Sequence, residues 1–249
     1  MNNTEKFTGK ASVYANARPG YAPEFIDYLY KDVGMNTASI IADISSGTGI
    51  FSKALLEKGS VIYCIEPNED MRKSAENTLS DFPNFHSING TAENTALAAN
   101  SVDIITVAQA FHWFEVDSFK EECYRILKQN GKIILIWNSR VKTSELVKEN
   151  EQICKKYCPN FIGFSGGLEH IDANIVKFFG NNFELKHFVN NLLFDKIKFI
   201  ERCLSASYSL KETDNEYKNY ITALEALFDK YADDDILTML NETLAYIGK

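Results

Sequence analysis

A chain of 249 residues, 45% hydrophobic and 24% charged, can bury one sizeable core and has the composition of an ordinary globule. Its formal net charge of −8, without any basic stripe of interleaved aromatics, argues against nucleic acid as a partner. No apolar run approaches membrane-spanning length and the start Met1–Lys6 is polar, so no membrane partner, a cytoplasmic location and a monomer or homodimer are expected.

The five cysteines, Cys64, Cys123, Cys154, Cys158 and Cys203, are odd in number and scattered, which suits reduced buried thiols better than a disulfide scaffold. Cys154 and Cys158 could share a helix face, but no CxxC or histidine pair accompanies them, and no metal site is expected.

In chain order, Arg18-Pro19-Gly20-Tyr21-Ala22-Pro23 makes an irregular turn, followed by a helix over 24–31. The apolar run Ile40–Ile44 reads as a strand that breaks into Ser45-Ser46-Gly47-Thr48-Gly49, and Phe51–Lys58 as a helix. Val61–Ile65 is a second strand ending at Glu66-Pro67. Asn68 caps the next helix, with Glu69 and Asp70 in its first turn and Met71, Ala75 and Leu79 on one face. Phe85–Ile88 and Val102–Val107 are strands. Asp117 or Ser118 starts a helix that Asn130-Gly131 stops, and Lys132–Trp137 is a fifth strand.

Beyond Asn138 the pattern weakens. Residues 141–180 are helical around a loop at Gly163, Gly166 and Gly167. Phe183–Val189 alternates as a strand, Ile197–Leu204 and Tyr217–Tyr231 are amphipathic helices, and Asp233-Asp234-Asp235 is a turn. Ile236–Tyr246 is a last strand, antiparallel because no crossover helix follows. The expected fold is α/β: a Rossmann-like, mostly parallel seven-stranded sheet with helices on both faces and a helical cap insertion. A single domain spans 1–249, with an N-terminal flap and first helix over 1–35, a cofactor-binding core over 36–140, and cap helices plus the last strands over 141–249.

Ligands of such sheets bind beyond the C-terminal strand ends. The polar residues there are Asp43 to Gly49, Glu66, Thr91 to Glu93, Gln109 to Trp113, and Asn138. Gly47-Thr48-Gly49-Ile50-Phe51-Ser52 is a partial dinucleotide fingerprint, with Ser52 in the third glycine's place and Glu66 placed to accept ribose hydroxyls. Asp43 discriminates. A carboxylate two residues before the loop gains nothing from a pyrophosphate, but it favours an ammonium or sulfonium. Bonding of Asp43 to loop amides is the alternative.

Several segments in order resemble the class I S-adenosylmethionine-dependent methyltransferases: Asp43-Ile44-Ser45-Ser46-Gly47-Thr48-Gly49, Glu66-Pro67-Asn68, Gly90-Thr91-Ala92-Glu93-Asn94, and Ser101-Val102-Asp103 leading into Ala108-Gln109-Ala110-Phe111-His112-Trp113-Phe114. Tyr14…Arg18-Pro19-Gly20-Tyr21 and Arg125–Gly131 fit too, and within the class the chain looks closest to the small-molecule branch that includes trans-aconitate methyltransferase. The resemblance covers 11–140 best; Ser205-Ala206-Ser207-Tyr208 resembles a later segment of that branch.

The resemblance implies S-adenosyl-L-methionine as cofactor and S-adenosyl-L-homocysteine as product. It places Ser45, Ser46, Gly47 and Gly49 beneath the methionine part and Asp43 near its amino group. Glu66 takes the ribose hydroxyls, Pro67 and Met71 pack on adenine, and Thr91, Ala92 and Glu93 bind its edge. Ala108 and Gln109, with Ala110, lie along the cofactor near the reacting end, and Tyr14 and Arg18 close over it. Two residues depart from the family's pattern: Ser45 replaces a glycine and so incurs a φ penalty if its backbone is left-handed, and Thr91 replaces an aspartate.

The implied reaction is in-line methyl transfer to a small-molecule acceptor, which asks mainly for positioning and exclusion of water. His112 is the base candidate or an orienting wall residue. His112, Trp113, Trp137, Asn138 and Tyr208 are the expected acceptor pocket, and the acceptor's O, N, S or C nucleophile stays open. Two alternatives remain: a non-catalytic cofactor-binding protein and a nicotinamide-dependent oxidoreductase.

Overall fold

The computed structural model describes residues 19–164, 171–206 and 208–249. Tyr14, Arg18, Gly166, Gly167, His170 and Ser207 therefore lie outside the described residues. The chain divides into two compact units, one holding residues 19–138, 171–188 and 243–249, the other 139–164 and 189–242.

In the first unit, helix α1 (Pro23–Lys31) precedes strand β1 (Ile40–Ile44), α2 (Ile50–Glu57), β2 (Val61–Ile65), α3 (Glu69–Leu79), β3 (Phe85–Ile88), β4 (Val102–Ala108), α4 (Val116–Ile126) and β5 (Leu127–Arg140). Helix α6 (Ile171–Phe179), strand β6 (Phe183–Val189) and strand β9 (Asn241–Gly248) complete it. Among the described residues the sheet has seven strands in the order β3-β2-β1-β4-β5-β9-β6. β1 pairs in parallel with β2 and β4, β2 with β3, and β4 with β5, while the last strand is antiparallel. This is the Rossmann-like α/β architecture expected.

The near-continuous apolar strands have a simple cause. Successive side chains point to opposite faces, and both faces are covered. Ala42, Ile44, Ile105, Val107, Ile133 and Leu135 enter one core with Phe111, Phe119 and Phe178. Their sequence neighbours Ile41, Ile104, Ile134 and Ile136 enter the other, with Phe25, Leu29, Phe51 and Leu55. Asn68 caps α3 as expected, its Oδ1 accepting the Met71 N–H at 3.0 Å.

Two boundaries differ from expectation. The helix before β5 stops at Ile126, not at Asn130-Gly131, because Leu127 already has extended φ and ψ. Pairing then jumps from Val102↔Leu127 to Ile104↔Lys132, so residues 128–131 form a bulge. Gly131 is needed there for close approach: a Cβ would lie 2.5 Å from Leu127 Cδ1 and 2.7 Å from the Asp103 carbonyl oxygen. The C-terminal run also splits. Leu237–Met239 is a separate strand, β8, and β9 begins at Asn241.

In the second unit, β8 pairs antiparallel with β7 (Leu192–Phe194). Helices α5 (Glu145–Tyr157), α7 (Lys196–Leu204) and α8 (Tyr217–Tyr231) supply Leu146, Phe199, Tyr220, Leu224, Leu227 and Phe228 to one core with Leu237 and Met239. That burial is what divides the C-terminal run, because Leu237 and Met239 belong to this core and Ala245 and Ile247 to the sheet. Asp234 and Asp235 turn the chain with φ of 45° and 60°, a conformation that aspartate tolerates. No helix among the described residues is long and apolar enough to cross a membrane.

Gly131→Ala should lower stability by about 2 kcal/mol, since a rigid backbone carbonyl forms one wall of the space its Cβ would enter. Urea unfolding should show a lower midpoint with an unchanged m-value. An unchanged midpoint would mean that the bulge opens without cost.

Candidate active site

The site grows from the C-terminal end of β1. Asp43 is fully buried there, and its two oxygens are held by side chains, not by loop amides. Ser52, inside the first turns of α2, donates to Oδ2 at 2.5 Å, and Thr106 of β4 donates to Oδ1 at 2.9 Å. One carboxyl thus ties β1 to the helix that follows its loop and to the neighbouring strand. The Cys64 thiol also reaches Ser52 Oγ, at 3.1 Å. Burial pushes the Asp43 carboxyl up to about 6; the Ser52 and Thr106 hydroxyls oppose that rise and the nearby Glu66 charge adds to it.

Between Asp43 and α2 the backbone passes three times through the left-handed region, at Ser45 (φ 53°), Gly47 (φ 59°) and Gly49 (φ 80°). Ser45 therefore carries the strain that its departure from glycine implied, of the order of 1 kcal/mol. At Gly49 the need is double, because a Cβ would come within 2.5 Å of Leu79 Cδ1. The loop closes through Gly49 N–H to the Ser46 carbonyl at 3.0 Å, and Ser46 N–H bonds the end of β2 at Ile65, at 3.1 Å.

Glu66 follows β2 and is 7% exposed. Its Oε2 accepts the Gly47 N–H at 2.9 Å and its Oε1 the Asn68 N–H at 2.8 Å. Burial raises its pKa, while these two amides and Arg72 lower it. A carboxylate has about four acceptor positions, so each oxygen keeps one for a ligand hydroxyl. Pro67 is half-buried and Met71 buried. Thr91 and Ala92 follow β3 directly beside Glu66, whose N–H bonds Ile88 at 3.1 Å. Thr91 closes a turn with Asn94, and Glu93 is exposed with Oε1 accepting Glu115 N–H at 3.2 Å.

At the adjacent end of β4, Ala108 leads into Gln109, a second non-glycine residue in the left-handed region (φ 62°). Gln109 Nε2 donates to the Asn138 carbonyl at 3.0 Å, and Asn138 Oδ1 accepts from Thr243 at 2.7 Å. His112 lies in a short 3₁₀ turn, Phe111–Trp113, with its ring 4.5 Å from the partly exposed Trp113. Trp137 is buried edge-on between Phe111 and Tyr246. The structure thus brings Asp43, the 45–49 loop, Glu66 and Thr91 together by direct bonds or strand register, and Gln109 with Asn138. Tyr208 belongs to the second unit, and Tyr14 and Arg18 lie outside the described residues.

Sequence reasoning missed Ser52 and Thr106, the partners of Asp43. The only available signal was the buried carboxylate itself, which needs donors. Ser52 stood out merely as a degraded glycine position. Thr243, which joins Asn138 and also accepts the Ala22 N–H at 3.1 Å, gave no signal.

The comparisons with known proteins agree with this geometry. A model of the methyltransferase domain matches residues 42–135. That segment runs from the middle of β1 into β5, and it is what the family model describes as a methyltransferase domain. The chain is 31% identical over 144 residues to an uncharacterised methyltransferase of Schizosaccharomyces pombe, covering 57% of this chain and 56% of that one. It is 33% identical over 147 residues to an uncharacterised methyltransferase of Mycobacterium tuberculosis, covering 59% and 58%. The match thus spans little more than half the length of these relatives. Among solved structures, a protein from Anaeromyxobacter dehalogenans assigned provisionally to type II methyltransferases superposes with a TM-score of 0.64 at 16% identity, over 93% of this chain and 95% of that one. A phosphoethanolamine N-methyltransferase of Haemonchus contortus superposes at 0.54 and 17%, over 100% and 58%. At such identities the likeness is one of fold.

The residues present fit the cofactor. Glu66 keeps acceptor positions for two hydroxyls, and Thr48 Oγ1 in the loop is buried without a hydrogen-bond partner among the described residues.

Asp43 should make stability fall as pH rises from about 4 to about 6, because the folded state keeps a proton that the unfolded chain has released. The loss should be about 3 kcal/mol, and Asp43→Asn should remove most of it, Glu66 retaining a smaller slope of the same sign. Urea unfolding across that range checks this, and an unaltered slope in the variant would contradict it.

Proposed function

We propose that the protein transfers a methyl group from S-adenosylmethionine to a small-molecule acceptor. The observation that carries the reading is Glu66, whose carboxylate is fixed by the Gly47 and Asn68 amides while each oxygen keeps an acceptor position. A carboxylate so placed beside a left-handed glycine loop suits a ribose diol and a zwitterionic tail better than a pyrophosphate. The bound cofactor supplies a methyl already activated on a sulfonium.

The chain's part is to hold and orient. Ser45, Ser46, Gly47 and Gly49 cradle the methionine portion, and Thr48 Oγ1 offers a further polar contact. Asp43 acts beneath the loop, holding Ser52 and Thr106 so that the loop keeps its shape, and it lends negative charge beneath the cofactor's ammonium. Pro67, Met71, Thr91, Ala92 and Glu93 receive the adenine. Ala108 and Gln109 flank the reacting end. His112, Trp113, Trp137 and Asn138 face the acceptor. His112 takes a proton from an alcohol or ammonium acceptor, or orients an acceptor that has none to lose. The acidic charge of −8 favours a small acceptor over a nucleic acid.

Incubation with methyl-labelled S-adenosylmethionine and a metabolite extract should place label in the small-molecule fraction. Label only in protein or nucleic acid would overturn the small-molecule reading, and no label would leave a cofactor-binding protein without transferase activity. If His112 is the base, His112→Asn should lower kcat by about 10²-fold or more and remove a limb of the pH profile. An unchanged profile assigns it to orientation.

A further inference from the structure

We propose that the second compact unit carries a binding site for a small oxyanion, a carboxylate or phosphate group, gathered around Arg140. The Arg140 guanidinium lies 4.3 Å over the Phe164 ring. Phe164 meets Phe161 edge-on at 5.3 Å, and Phe161 meets Tyr208 edge-on at 4.8 Å. This aromatic file fixes the plane of the guanidinium while leaving its N–H edge to a ligand.

That edge has no protein partner. Arg140 Nε is buried without a hydrogen bond, and no carboxylate of the described residues forms an ion pair with Arg140. Cations of this chain otherwise sit in ion pairs again and again, Lys230 with Glu149 and Lys196 with Asp229 in the same unit. A guanidinium N–H taken from water without an acceptor is costly. A ligand anion is the group that would offset that cost, in the bidentate geometry arginine gives to carboxylates and phosphates.

The charges of Arg140 and Arg202 both act on the Cys203 thiol and the Tyr208 hydroxyl, drawing down pKa values that burial pushes up. The Ser209 and Tyr220 hydroxyls of the same unit are buried without a hydrogen-bond partner among the described residues. The chain's net negative charge repels polyanions at long range, which favours a small, locally held anion. The site does not depend on the reading above.

Succinate and inorganic phosphate are the probes, titrated into the full chain by calorimetry and thermal unfolding against sodium chloride at matched ionic strength. At least one should bind saturably and raise the unfolding midpoint. Arg140→Gln should weaken it about tenfold or more and Arg140→Lys less, with S-adenosylhomocysteine binding unchanged in both. A response to succinate alone assigns a carboxylate ligand, and to phosphate alone a phosphate. Effects no larger than chloride's, or equal affinity in Arg140→Gln, would overturn the proposal. Should Arg140→Gln fail to fold, Arg140→Lys keeps the charge and removes the bidentate fork, and undiminished affinity there would overturn it equally. Failure of the wild type to bind S-adenosylhomocysteine would count against the methyl-transfer reading and leave this site standing.

Discussion

The first unit depends on one buried carboxyl. Asp43 has no solvent contact, and only the Ser52 and Thr106 hydroxyls offset its desolvation. Those two bonds fix α2 relative to β1 and β1 relative to β4. The strained loop between them can therefore hold a shape that its own residues would not select.

Two of the left-handed non-glycine residues stand where a ligand would be approached. Ser45 and Gln109 both lie in the left-handed region, and they stand just beyond the ends of two paired strands, β1 and β4. Each is over-determined by neighbours. Ser45 lies between the anchored Asp43 and Ser46, whose N–H is bonded to Ile65; Gln109 is fastened to the backbone of Ile136 and of Asn138. Backbone held in this way presents fixed N–H groups to a ligand with little reorganisation on binding. Glu66 extends the same economy, since its bond to Gly47 N–H orders the loop and aims the carboxylate together.

Much of this was legible in the sequence. β1 and β2 fall at the expected residues because both sheet faces are covered, which writes apolar runs, β3 follows as a short strand, and β6 was readable from the alternation of its residues. The Asn68 cap, the Asp233–Asp235 turn and the φ cost at Ser45 were equally readable, being local. What was not legible depends on tertiary contact. Gly131 resembles a helix stop until the Asp103 carbonyl is seen against it, and a continuous Ile236–Tyr246 strand is broken because Leu237 and Met239 are claimed by another core. Ser52 and Thr106 are common residue types whose role appears only once Asp43 is placed between them. Arg140 gives no sequence signal, because a missing partner is a property of the fold.

The central claim is that the β1 loop and Glu66 form the cradle of S-adenosylmethionine. Calorimetric titration with S-adenosylhomocysteine, for the wild type and Glu66→Ala, tests it most directly. The account predicts one site on the wild type and affinity lowered by about tenfold or more in the variant, where two charge-assisted ribose hydrogen bonds are lost. No binding at about millimolar ligand, or equal affinity in the two proteins, would contradict it.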